Sequence, residues 1–352
     1  MIAVIAAHAH VSWLHGGGVG VDIFFGISGF LITFLLIREA RKYGRIDLRN
    51  FWLRRLLRLM PALIVLIVCV DIFAVVVTQL RPNAYLSQSL AASPSVLLYF
   101  SNWMIVATDS AYLGWFGPLW SLSVEEQFYF LWPLVVVLAF RTRRPLAVLA
   151  GVGGAIALGA VVLRFIVFDG TDVYRTFGTD FRVDMLLAGV LLAIAMHAGL
   201  HTVVKKFSAV AVAPAVLFLA TVAVVVPEFG AAGTSEATRI YYTYGLPVVG
   251  LSTVTVIGFI VTHQTAGFTR ALSWKPLEYT GRISYGMYLW HYPIIMGINA
   301  VLDVNASVTF VLALALTYSF ASVSWFYVER PLSLKLHGTF KARAPIGPVS
   351  QH

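Results

Sequence analysis

Cysteine is nearly absent: Cys69 is the single one in 352 residues. A disulfide within the chain is therefore impossible, and thiolate metal clusters are excluded. Charge is scarce as well. Asp, Glu, Lys and Arg make up 12% of the residues, where an ordinary soluble domain carries about 25%. So few charges do not clothe a soluble surface. Acids are the scarcer sign, 16 against 25 Lys and Arg, for a formal net charge of +9. The short alternating segments of a membrane barrel are missing. No basic n-region precedes the first apolar run, and no A-x-A cleavage site ends it cleanly, so it is not read as a signal peptide. No repeat and no linker divides the chain.

Apolar residues fill that space. They form 59% of the chain, with a mean hydropathy of +0.83, in runs of about 20 residues that suit membrane-spanning helices. The expectation is an all-α integral membrane protein with about ten transmembrane helices in one bundle. One domain covers residues 1–332, and a mobile cytoplasmic tail covers 333–352. From Met1 to Leu14 the chain is too short to cross a core of about 30 Å at about 1.5 Å per residue. The expectation there is a first helix that lacks its beginning. Gly16 to Gly20 break it, and the second span runs from about Val21 to Ile37. DLRNFWLRRLLRL reads as an amphipathic helix in the interface, after which Pro61 opens a third span. Further spans start near Leu119, Pro145, Met185, Ser208, Tyr244, Ile283 and Ser307.

The basic residues follow this layout. With Arg38–Arg58 in the cytoplasm and the spans alternating, only Arg81, Arg164, Arg175, Arg182 and Arg239 of the 25 basic residues fall elsewhere. That is the positive-inside bias. It makes the basic excess a topology signal, places both termini in the cytoplasm of a multi-pass plasma-membrane protein, and turns the reading away from nucleic acid.

Ionisable residues inside apolar runs are functional-site hypotheses. His8 titrates near neutrality and its neutral imidazole accepts a proton; the plain alternative is a histidine near the membrane surface. His8, His10 and His15 stand at i, i+2 and i+7, which do not share a helical face, so a metal cluster is disfavoured. Asp22 reads either as an N-cap or as the partner of a histidine or arginine. Arg55 and Arg58 share a face, and Arg54 pairs as well with Arg58. Guanidinium groups there suit a phosphorylated donor or anionic lipid head groups. Glu125 and Glu126 read as a costly carboxylate pair, or as part of a capping box from Ser123 to Glu126. Trp120, Tyr129 and Trp132 fit interface anchors. Arg182 and Asp184 could bridge, His291 fits an interfacial histidine, and Gly26-Ile-Ser-Gly29 fits close helix packing.

The ordered set resembles the membrane-bound acyltransferase-3 family. The matching stretches are His8 with GGGVGVDIFFGISGFLIT, FWLRRLLRLMPAL, LWSLSVEEQFYFLWPL, FRVDMLLAGVLLA, SYGMYLWHYPI and WFYVERPL. The resemblance implies transfer of an acyl group, usually acetyl, from cytoplasmic acyl-CoA to a hydroxyl of a sugar, glycolipid, envelope glycan, lipid or polyketide. It implies His8 as the catalytic base, with Glu126 and Asp22 orienting partners. Arg55 and Arg58 would hold the coenzyme A donor, and Ser28, Tyr285, His291 and Arg182 would touch substrate. No metal and no permanently bound cofactor is implied. One departure is the D-G-L-R element that family members carry upstream of the histidine, which these residues do not contain. The esterase-like domain fused to some members has no counterpart here either. A transporter or flippase that makes no ester is the rival reading, since intramembrane His, Asp and Arg suit it as well.

Overall fold

The computed structural model describes residues 1–80, 84–108, 113–168, 170, 172, 174–226 and 236–332. Every regular element among them is helical. The order is α1 (Ile2–His8), α2 (Val19–Tyr43), α3 (Leu48–Leu80), α4 (Ala84–Leu97), α5 (Ser101–Thr108), α6 (Trp120–Ala139), α7 (Pro145–Val167) and α8 (Thr179–His197). After these come α9 (His201–Val225), α10 (Glu236–Ile240), α11 (Leu246–Thr262), α12 (Gly267–Leu272), α13 (Lys275–Arg282), α14 (Ser284–Val301) and α15 (Ala306–Ser324). The proposed tail, 333–352, lies outside the described residues, as do 81–83 and 109–112 within the mixed stretch after the third span.

Among the described residues, seven helical segments are long and apolar enough to cross a membrane: those built on α2, α3, α6, α7, α9, α11 and α15. Three of the ten expected spans fall outside that set for physical reasons. α1 has 7 residues. α8 carries Asp180, Arg182 and Asp184 near its start, and α14 carries His291 and Asn299 among its aromatics. Both lean on neighbouring helices, with α8 against α2 and α7, and α14 against α15. Side chains such as Val210 (82% exposed) and Ile166 (77%) form the outer apolar surface, which suits contact with lipid.

The expected interfacial helix and third span are one helix. α3 runs through Pro61 without a break, so its arginine-bearing turns continue directly into its apolar length. The glycine break is shorter than expected. A tight turn spans His15–Gly18, and α2 resumes at Val19. That turn is wedged between two helices: a Cβ on Gly17 would lie 2.0 Å from the Ala3 carbonyl oxygen, and one on Gly16 2.0 Å from that of Val222. The Gly26–Gly29 packing reading holds. A Cβ on Gly29 would lie 1.9 Å from the Leu186 carbonyl oxygen of α8, and one on Gly189 2.0 Å from that of Gly26.

α1 is held by a small apolar cluster of its own. Ile5, Ala6 and Ala9 pack with Ile283, Met287, Ile295, Ala313 and Ala321 of the α14–α15 region. This anchoring fixes which way His8 turns.

Candidate active site

His8 ends α1 and is half-buried. Its Nδ1 lies 2.9 Å from the Val4 carbonyl oxygen. A carbonyl only accepts, so Nδ1 carries the proton and the neutral ring's Nε2 is left with its lone pair. That is the tautomer a general base needs. The ring meets His291 and Tyr292 of α14, each edge-to-face at 5.2 Å between centroids. His291 is fully buried, so the interfacial reading of it does not hold. From His291 the contacts run on. Its ring lies against Tyr288, 5.6 Å away. The Tyr288 hydroxyl donates to the Pro118 carbonyl and lies 2.6 Å from Ser121 Oγ, on α6 one turn before Glu125.

Glu125 and Glu126 do not cap α6. The helix starts at Trp120 and has no side-chain cap, so both acids sit a turn and a half inside it. Glu126 Oε1 accepts from Arg55 Nε and Nη2, each at 2.8 Å. Glu125 lies 3.7 Å from the same guanidinium and accepts from Ser28 and Tyr129. The guanidinium stacks on the Tyr129 ring, 3.1 Å from its centroid. Tyr129 is thus a cluster member rather than an interface anchor. One cation facing a buried and a half-buried carboxylate gives a cluster of opposed charge between α3 and α6. Ser28, expected at substrate, donates to Glu125. Tyr285, also expected there, donates to the Leu59 carbonyl oxygen at 2.8 Å and ties α14 to α3. Arg58 and Arg54 are exposed one turn and one residue away.

A second ionic layer lies at the starts of α2, α6 and α8. Asp22 is inside α2, whose N-cap position is Gly18, so the cap reading is replaced by the pairing one. Its Oδ1 accepts from Arg182 Nη1 at 2.8 Å and its Oδ2 from the Tyr241 hydroxyl at 3.2 Å. Arg182 Nε donates to the Thr176 carbonyl oxygen at 2.8 Å, and the guanidinium faces the Trp120 and Tyr242 rings. Arg182 therefore does not bridge Asp184. Residues two apart on a helix point to different sides, and Asp184 instead takes both arms of Arg164, at 2.7 and 2.5 Å. Arg164 and Tyr241 were not singled out from the sequence; an arginine alone in the apolar run of α7 was the available signal. No group of three metal ligands gathers among the described residues.

This constellation can be set beside known proteins. The acyltransferase domain model matches residues 1–327. The peptidoglycan O-acetyltransferase OatA of Listeria monocytogenes is 36% identical over 349 residues, covering 94% of this chain and 54% of that protein. The O-acetyltransferase OatA of Staphylococcus aureus is 34% identical over 347 residues, covering 95% of this chain and 56% of that one. The chain belongs to the acyltransferase-3 family. It is an acyltransferase domain and spans about half the length of the curated relatives it matches. No solved structure matches it. Within the family frame, three groups that lie far apart in sequence come together: His8 with His291, Arg55 with Glu126, and Asp22 with Arg182.

Proposed function

We propose that this membrane acyltransferase domain moves an acetyl group from cytoplasmic acyl-CoA onto a hydroxyl of an envelope glycan. The two relatives named as O-acetyltransferases, one of them for peptidoglycan, support a glycan acceptor. The observation that carries the reading is the tautomer of His8: Nδ1–H is spent on the Val4 carbonyl, which leaves Nε2 as a base. In the step we propose, the proton of the acceptor hydroxyl passes to His8 Nε2 while its oxygen attacks the thioester carbonyl. The carbon–sulfur bond breaks, and the departing thiolate takes the proton from His8. Arg58, exposed on the basic side, receives the phosphates of the donor, and Arg55, oriented by Glu126, faces the thioester. The chain sits in the plasma membrane with its basic ends in the cytoplasm.

The test uses the full chain in lipid nanodiscs with radiolabelled acetyl-CoA and a soluble peptidoglycan fragment. An alkali-labile acetyl ester on the fragment is expected. His8→Ala lowers its formation by about 10²- to 10⁴-fold, the usual worth of a general base. Equal turnover by His8→Ala removes His8 from the chemistry. Unmodified glycan carried across the bilayer of proteoliposomes, with no ester formed, would instead favour the carrier reading.

A further inference from the structure

His291 is the one fully enclosed imidazole in this site, and its hydrogen bonding is incomplete. Its Nδ1 lies 2.7 Å from the Tyr288 carbonyl oxygen, so Nδ1 carries the proton for the same reason as in His8. Its Nε2 is buried and has no hydrogen-bond partner. A buried acceptor without a donor is destabilising, and such a cost is commonly retained where the group has work to do. The ring beside it, edge-to-face at 5.2 Å, is His8. Both imidazoles are held by main-chain carbonyls of their own helices, so both present Nε2 with its lone pair. With both Nδ1 atoms protonated, neither neutral Nε2 has a proton to offer the ring 5.2 Å away. The other titratable groups at the pair are His10, the Met1 amino group, Tyr288 and Tyr292. Among the described residues no carboxylate pairs with either ring.

We infer that His291 is a positioning residue for His8: its unpartnered Nε2 is organised to meet the charge that His8 acquires when it takes the acceptor's proton. The inference rests on the acyl-transfer reading above. In the resting site the lone pair is unsatisfied. In the transition state His8 is becoming an imidazolium, and the negative end of the neighbouring imidazole dipole stabilises it without reorganisation. This role differs from that of an acid placed behind a catalytic histidine. The Val4 carbonyl already fills that position, and His291 acts through its edge-to-face contact with the His8 ring. Because the interaction is made only in the transition state, it changes kcat and leaves both KM values alone.

Phenylalanine and glutamine separate this role from a packing role. Phe keeps the flat, buried shape and loses the nitrogen. Gln loses the shape and returns an acceptor near the Nε2 position. In nanodiscs, His291→Phe should lower kcat about 10- to 100-fold, the worth of one hydrogen bond to a charged group. KM for acetyl-CoA and for the glycan fragment should stay unchanged, and His291→Gln should recover most of the rate. A fully active Phe variant, or a Gln variant weaker than Phe, overturns the inference while leaving His8 in place. Should the wild type make no ester, or His8→Ala match it, the acyl-transfer reading falls first and takes this inference with it. Nitrogen-15 NMR of the histidine-labelled wild type needs no variant to fold. Both rings should appear as Nδ1–H tautomers, and an Nε2–H tautomer for His291 overturns the inference.

Discussion

Arg55 and Arg58 lie one turn apart on the same helix, and their surroundings divide the work between them. Arg55 is clamped by Glu126 and stacked on Tyr129, whereas Arg58 is exposed. A clamped guanidinium is costly to remove, because Glu125 and Glu126 would be left enclosed without their cation; breaking a buried pair costs about 3–5 kcal/mol. Half-burial of Arg55 lowers that figure. Arg55→Ala should therefore cut kcat at least tenfold and lower thermal stability together, by turnover and by melting in detergent. Arg58→Ala should leave stability unchanged and raise KM for acetyl-CoA several-fold, more at low salt than at high, since an exposed charge is screened. Equal effects from both would mean that the two arginines share one task. From the sequence the pair was legible but the division was not. Face-sharing at i, i+3 follows from helix geometry, whereas the partner Glu126 is brought in by a helix 71 residues away. Asp22 was legible as paired or capping, and the fold supplied Arg182. The Arg182–Asp184 bridge failed because nearness in sequence does not mean a shared helix face.

At the scale of elements, the seam between α2 and α8 carries the site. α2 brings Asp22 and Ser28, and α8 brings Arg182 and Asp184, so the spacing of the two helices sets both ionic layers. Small residues set that spacing. Gly29→Ala would place a methyl within 1.9 Å of the Leu186 carbonyl oxygen, which is main chain and cannot rotate away. The helices must part, at a cost of about 1–3 kcal/mol for overpacking of this kind. Gly151 of α7 is a fitting control, since a Cβ there meets nothing within 4 Å. Gly151→Ala should keep or slightly raise the melting temperature, as alanine favours helix by about 1 kcal/mol over glycine. Gly29→Ala should lower it and reduce acetyl transfer in parallel, and a neutral Gly29→Ala would show that the seam tolerates more than this packing allows. The G-x-x-G spacing made this contact legible. Two other features were not. α3 continues past Pro61, a residue that pattern reading treats as a boundary. The wide turns at Tyr241–Gly245 and Trp325–Glu329 rotate the helix beyond the 3.6 periodicity on which sequence reading depends. The second buries Glu329 beside Ser324, 3.0 Å from its hydroxyl.

Across the whole molecule, helix direction sorts the chemistry into two faces. The starts of α2, α6 and α8 gather Asp22, Trp120 and Arg182 on one side. The end of α2 meets the end of α8 on the other, where Arg41 donates to the His197 carbonyl oxygen at 2.9 Å. The start of α14 meets α3 through Tyr285 and Leu59, on the arginine-bearing side of the bundle. The proposed function takes that side to be cytoplasmic, on the positive-inside bias, and the acyl-CoA reading depends on it. The single cysteine makes this directly measurable, because Cys69→Ser yields a cysteine-free background. Exposed positions exist on each face: Arg143 between spans and Lys205 near the start of α9 on the basic side, Asp172 and Asp303 on the other. With one cysteine introduced at a time, a membrane-impermeant maleimide applied to intact cells should label Asp172→Cys and Asp303→Cys. Arg143→Cys and Lys205→Cys should react only after permeabilisation. The inverse pattern would put the arginine-bearing turns of α3 outside the cell, away from coenzyme A, and the donor would then have to be something other than a cytoplasmic thioester. A mixed pattern, with Asp303→Cys and Lys205→Cys on one side, would instead change the number of crossings. It would bear directly on α8 and α14, which lie outside the set of helices long and apolar enough to cross a membrane.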